Sequence, residues 1–376
     1  MIRIISPSID ADDKQAVCEV LDSGFLVQGK RVHEFESMLM DYTGAQHVIA
    51  VSSATAALQI SLRAIGVERD DIVVVAAYSF TATANVIELC GAIPVFVDIE
   101  EPTFGMDPQK FSETLDRLMQ DPQTKDRVKA IMPVHIAGQL ANIEEICKIA
   151  ERYHIPVIED AACALSARAN GKSAGTFGVI GCLSFHPRKA ITTGEGGAIL
   201  TNDAGIDRMS RAFRNHGIDP CADKTDFICA GFNYRMTDMQ GALGVSQMRK
   251  LDRIQNARME GAKRYQTLLQ DSPFVLPRIS ERHCFQSYTI NLPDSMAANR
   301  DAIIAGAREQ GVEMVIGTWH MPMCRYYREK YGYHVGDFPV SDRVFQNSIT
   351  LPLYLGLTKQ EQMQVVDTLL ALCKLA

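Results

Sequence analysis

Between about residues 45 and 202 the chain alternates short apolar runs with longer stretches whose apolar positions recur every three or four residues. The runs "DIVVVAAYSF", "IPVFVDI", "KAIMPVHI", "IPVIED", "GCLSFH" and "GAILTND" are too short for helices and rich in β-branched residues. They read as strands buried on both faces. Between them, "ATAALQISLRAIG", "TANVIELCG", "PQKFSETLDRLMQ" and "IEEICKIAERYH" carry the helical period. Alternation of this kind predicts an α/β fold, a mostly parallel sheet sandwiched by helices. Ligands of such sheets bind beyond the carboxyl ends of the strands, so the residues just after each apolar run are the ones to inspect. From Thr237 to about Gln270 one long helical stretch leaves this unit. After "DSPFVLP" the pattern restarts as strand, helix, strand and helix through "FQSYTINL", "RDAIIAGAREQG", "VEMVIGTW" and a closing helix near 358–374. This predicts a large α/β domain over 1–250 and a small C-terminal α+β domain over 251–376.

Bulk properties narrow the function. A chain of 376 residues exceeds a typical single core, which agrees with two units. The net charge of −7 leaves no electrostatic footprint for nucleic acid or an anionic membrane, so an anionic substrate has to be met by local groups. Ten cysteines without a C-x-x-C pair, the closest being Cys221 and Cys229, fit reduced thiols better than a disulfide frame or a metal site. No signal-type apolar segment and no uninterrupted apolar window of membrane-spanning length is present, which predicts a cytoplasmic protein.

Four strand ends supply candidate chemistry. After "HVIAVS", the segment Ser52 to Leu58, "SSATAAL", opens a helix with small hydroxyl residues. It is either an ordinary N-cap or a cradle in which backbone N–H groups hold an anion. Phe80 follows the run "VVVAAYSF" and is either core or a cover for a planar ligand. Asp160 ends a run too apolar to leave it fully solvated, so it needs a helix N-terminus or a cationic partner. Ser184 is followed by Lys189 within "SFHPRKAITTGEGG", whose glycines let backbone pass close to a ligand. A phosphate-binding helix start, an aromatic, an acid and a lysine together meet the needs of one cofactor, pyridoxal 5'-phosphate.

The chain resembles the DegT/DnrJ/EryC1/StrS family of sugar aminotransferases, which have the fold type I architecture of pyridoxal-phosphate enzymes. The resemblance rests on "SGFLVQGKRVHEFE", "VSSATAAL", "YSFTATANVI", "FVDIE", "KAIMPVHIAGQ", "VIEDAACALSA", "SFHPRKAITTGEGGAILTND", "RNHG", "NYRMTDMQGALGVSQMRKLD" and "DFPVSDR", which follow the family's order from about residue 23 to 345. It implies that Lys189 is the Schiff-base lysine and then the acid and base of the proton shift. It also implies that Asp160 keeps the pyridine nitrogen protonated, that Ala54, Thr55 and Ser184 bind the phosphate, and that Phe80 stacks on the ring opposite the small Ala162. Asn233 of "NYR" would reach the phosphate of the neighbouring subunit, which implies a homodimer with shared active sites. The implied substrates are glutamate as amino donor and a nucleotide-linked keto sugar as acceptor, with an aminocyclitol precursor as an alternative.

Two positions depart from the family. Cys163 stands where glutamine or histidine is usual, and a thiol is a weak hydrogen-bond partner. Phe25 replaces a frequent tryptophan at the expected substrate mouth. His320 of "GTWHMP" is a candidate for substrate contact, His186 a lesser one, and Arg31, Arg188, Arg214 and Arg235 are candidates for a diphosphate. A sugar dehydratase of the same group would carry histidine in place of Lys189. A non-catalytic regulator would lack a use for the full cofactor set and would show a DNA-reading element or basic stripe, neither of which is visible.

Overall fold

The apolar runs form the seven strands β1 (His47–Val51), β2 (Ile72–Ala76), β3 (Ile93–Val97), β4 (Val128–Met132), β5 (Ile158–Asp160), β6 (Ile180–Ser184) and β7 (Gly197–Thr201). They are seen in a computed structural model that describes residues 1–101 and 103–375. Spatial order runs β1-β7-β6-β5 and β3-β2-β4, with the two groups joined by the parallel bridges Ile131 to Val157 and Val134 to Asp160. Every pairing is parallel except those of β7, which opposes both β6 and β1. A parallel return needs a crossover, usually a helix. Residues 185–196, which join β6 to β7, contain none, so the chain comes back antiparallel.

Helices cover both faces, as the alternation predicts. Along β1, Ile49 and Val51 enter a core with Leu58 and Leu62 of α3 (Ala54–Ala64), whereas Val48 and Ala50 enter one with Phe35 and Leu39 of α2 (Lys30–Thr43). The expected long helix from Thr237 to Gln270 is two helices, Asp238–Met248 and Leu251–Leu269. At Lys250 the backbone stays in the right-handed region at φ −106° and ψ −3°, but its N–H donates to Gln247 O, three residues back, instead of continuing the regular ladder. The break falls at a place without proline or glycine, and the Lys250 ammonium there is held by Asp10 and Asp13 at the start of the first helix, Ala11–Ser23.

The C-terminal unit has a three-stranded antiparallel sheet of Tyr288–Asn291, Ser348–Leu351 and Val315–Ile316 in that spatial order. Ile2 bridges Val312 and joins an apolar cluster with Tyr265, Ile303, Ile349 and Leu369. Three of the contacts between this unit and the large sheet bear on the site. Tyr78–Ser79 pairs antiparallel with Trp319–His320. The Tyr78 hydroxyl lies 3.0 Å from Ser348 Oγ and accepts from Thr318 N–H at 3.1 Å. The Asp98 carboxylate caps the helix Pro339–Asn347, accepting from the N–H groups of Val340 and Ser341, both at 2.9 Å.

Candidate active site

Parallel strands put their carboxyl ends on one edge, and the sequence candidates gather there. Val51 of β1 and Ser184 of β6 flank Gly197 of β7 in register. A Cβ at Gly197 would sit 2.5 Å from Ser53 C and Ala54 N, so glycine is what lets the start of α3 lie against the sheet beside Ser184. Ser53 caps that helix, accepting from Ala56 N–H at 3.1 Å, and leaves Ala54 and Thr55 in the first turn, Thr55 exposed. First-turn N–H groups lack intrahelical partners and face the positive end of the dipole, which suits a phosphate.

Asp160 at the end of β5 is 5% exposed. Its Oδ2 accepts from the Thr83 hydroxyl at 2.7 Å and its Oδ1 from Ala162 N–H at 3.2 Å. Strand alternation turns the preceding Glu159 to the other face. There Glu159 is fully buried and accepts from His135 Nε2 at 2.9 Å, Gly175 N–H at 2.8 Å, and the N–H groups of Phe177 and Gly178, both at 2.6 Å. Ala141 N–H donates to His135 Nδ1 at 3.2 Å, which leaves the proton of a neutral ring on Nε2, pointing at Glu159. Neither the contact of Thr83 with Asp160 nor that of His135 with Glu159 on the opposite face was legible in the sequence, because each pair joins positions far apart along the chain.

Lys189 lies on the β6–β7 connection, half-buried, with Nζ 3.0 Å from Cys163 Sγ. Cys163 is in turn packed on Cys284, whose thiol, driven to a pKa of about 11 by burial, donates to the Cys163 carbonyl at 3.4 Å. Phe80 is 62% exposed and, with Arg188, Gln286 and Trp319, lines a cleft of about 740 Å³. Ile304, Met314 and Thr318 line it as well.

Several expectations need correction. His320 does not reach this cleft. It is 2% exposed, with Nδ1 3.3 Å from Asp342, and burial lowers its pKa. Alternation along the short strand sends His320 inward and Trp319 outward, so the tryptophan lines the cleft instead. Phe25 is 81% exposed and lines a separate groove with Leu26, Val27 and Arg31. Arg214 is buried against Glu36 at 2.7 Å, Arg235 donates to Asn215 Oδ1 at 2.6 Å, and Arg31 is paired with Glu19 and Glu34. Of the four arginines, Arg188 alone lines the cleft. His186 closes the turn before Lys189, its Nδ1 accepting from Arg188 N–H at 3.1 Å. Asn233 is exposed on a segment tied to the end of β1 by Ser52 N–H donating to Tyr234 O at 2.9 Å.

The donor set fits pyridoxal phosphate. A helix start and a hydroxyl stand ready for a phosphate, a buried carboxylate for a ring nitrogen, an exposed aromatic face for the ring and an amine for an aldehyde. Fold and site together define a pyridoxal-phosphate-dependent transferase. The DegT/DnrJ/EryC1/StrS aminotransferase family matches residues 7–370. The GDP-perosamine synthase of Caulobacter vibrioides is 33% identical over 378 residues, covering 98% of this chain and 97% of that protein. PseC of Helicobacter pylori, an aminotransferase involved in the biosynthesis of pseudoaminic acid, superposes with a TM-score of 0.90 at 27% identity, covering 98% of each chain. The ntda protein of Bacillus subtilis, solved with bound cofactor PMP, superposes with a TM-score of 0.85 at 31% identity, over 97% of this chain and 83% of that one. The chain belongs to the DegT/DnrJ/EryC1/StrS aminotransferase family, and pyridoxal phosphate is its cofactor.

Proposed function

We propose that the protein moves the amino group of glutamate to the keto carbon of a nucleotide-linked sugar, in the cytoplasm, as a homodimer with shared sites. What supports this reading is that Asp160, Ser184 and the start of α3 lie at one sheet edge, with Lys189 on the loop that follows Ser184 and with Phe80 and Arg188 lining the adjoining cleft. When bound, pyridoxal phosphate supplies an aldehyde that carries the amino group and a ring that delocalises charge developing at the substrate carbon.

The chain's own residues do the rest. N–H groups at the first turn of α3, with the Ser184 hydroxyl, hold the phosphate. The Asp160 carboxylate faces the ring nitrogen and stabilises a proton there. Phe80 covers one ring face. Lys189, when neutral, takes a proton at Nζ from the substrate carbon and later returns it, with Cys163 Sγ holding the amine in place between transfers. Arg188 at the cleft wall offers local positive charge to a diphosphate on a chain of net charge −7. Asn233 contributes its amide to the partner's phosphate site.

The test is the absorption spectrum of the purified protein before and after glutamate, followed by a panel of nucleotide-linked keto sugars. A near-visible band that bleaches with glutamate and returns with one sugar is the expected result. Return only with a keto-cyclitol would move the acceptor to an aminocyclitol precursor. No band after incubation with pyridoxal phosphate would overturn the catalytic reading in favour of a regulator.

A further inference from the structure

Asp160 is reached by a buried relay that the reaction as described above does not use. Ser79, Thr83 and Asp160 are 2%, 1% and 5% exposed. Ser79 Oγ lies 2.8 Å from Thr83 Oγ1, which lies 2.7 Å from Asp160 Oδ2. A carboxylate only accepts, so Thr83 must donate to it. Thr83 has one hydroxyl proton, and the Phe80 carbonyl at 3.1 Å competes for it. The shorter bond to the charged acceptor wins. Thr83 then accepts from Ser79, so the hydroxyls of the relay point one way, towards Asp160. At its far end Ser79 stands opposite Trp319 in the two-strand ladder, at the wall of the cleft.

We propose that Thr83 is a positioning residue that fixes the orientation of Asp160, and that Ser79 orients Thr83 in turn. The inference rests on the proposed function, in which Asp160 faces the cofactor nitrogen. Without the Thr83 proton the carboxylate keeps only the Ala162 N–H as a donor, so it is held less firmly against the ring nitrogen and stabilises the proton there less well.

The test compares wild type, Thr83→Ser and Thr83→Val, each loaded with pyridoxal phosphate labelled with ¹⁵N in the ring. The ring-nitrogen chemical shift, the cofactor dissociation constant and the rate of bleaching by glutamate are measured. Thr83→Val is expected to move the resonance towards that of neutral pyridine and to slow bleaching about tenfold, the effect of one hydrogen bond to a charged group. Thr83→Ser should match wild type. If the valine variant does not fold, Thr83→Ala replaces it with the same expectation. A valine or alanine variant with wild-type resonance and rate would overturn the proposal, as would a serine variant that falls as far as they do. Wild-type bleaching, recorded alongside, keeps failure of Thr83 distinct from failure of the proposed function, because without that bleaching both fall.

Discussion

Lys189 sits with its amine 3.0 Å from a thiol where the family usually places an amide or an imidazole. Lys189→Ala should remove the near-visible band and lower transamination by at least about 10²–10⁴-fold, the usual contribution of a positioned acid or base. Its thermal transition should match wild type, because the side chain is half-buried and makes one weak contact. Substantial turnover by a folded variant would remove Lys189 from the chemistry. His283 gives a prediction about stability. It is 3% exposed, stacked on Phe285 at 3.9 Å, with its pKa lowered from 6.5 to about 3 by burial. Between those values the unfolded chain binds one proton more than the folded one, so unfolding free energy falls as pH falls, by up to about 1.4 kcal/mol per pH unit. In His283→Asn the amide oxygen can replace the acceptor Nδ1, and urea unfolding at pH 7 and pH 5 should show a shallower loss. An unchanged slope would mean that the ring already carries its proton when folded.

At the scale of elements, one carboxylate joins two helices. α2 begins at Gly29, which has no side chain to cap it, and Asp238 takes that role from the next helix but five. It accepts from the N–H groups of Gly29 at 2.9 Å, Arg31 at 3.2 Å and Val32 at 3.0 Å. Asp238→Ala should therefore cost about 1–3 kcal/mol in denaturant unfolding and speed amide exchange at Gly29 and Val32. Exchange confined to the wild-type rate would deny the cap. Much of this architecture was legible in the sequence: buried strands read as apolar runs, and the lysine and aspartate stood at run ends. What was hidden depends on distance along the chain. The reversal of β7 follows from a connection without a helix, the break at Lys250 coincides with ion pairs to the distant Asp10 and Asp13, and the inward turn of His320 follows from the pleat of a two-residue strand. Local spacing encodes none of these.

For the whole molecule, shared sites make a quantitative claim. Mixing Lys189→Ala chains with Asn233→Ala chains produces heterodimers in which one site has both side chains intact, so random pairing should restore about a quarter of sites to wild-type cofactor retention. No restored site in a mixture shown to exchange subunits would end the claim that Asn233 serves its neighbour. Within each subunit, the strand pair Tyr78–Ser79 with Trp319–His320 joins the small unit to the large sheet where Trp319 lines the cleft, and the Tyr78 hydroxyl and the Asp98 cap add further bonds between the two. A hinge that swung the units together would have to break that ladder, so the cleft works as a jig of fixed aperture. Amino donor and acceptor then have to meet the same walls, whatever their difference in size.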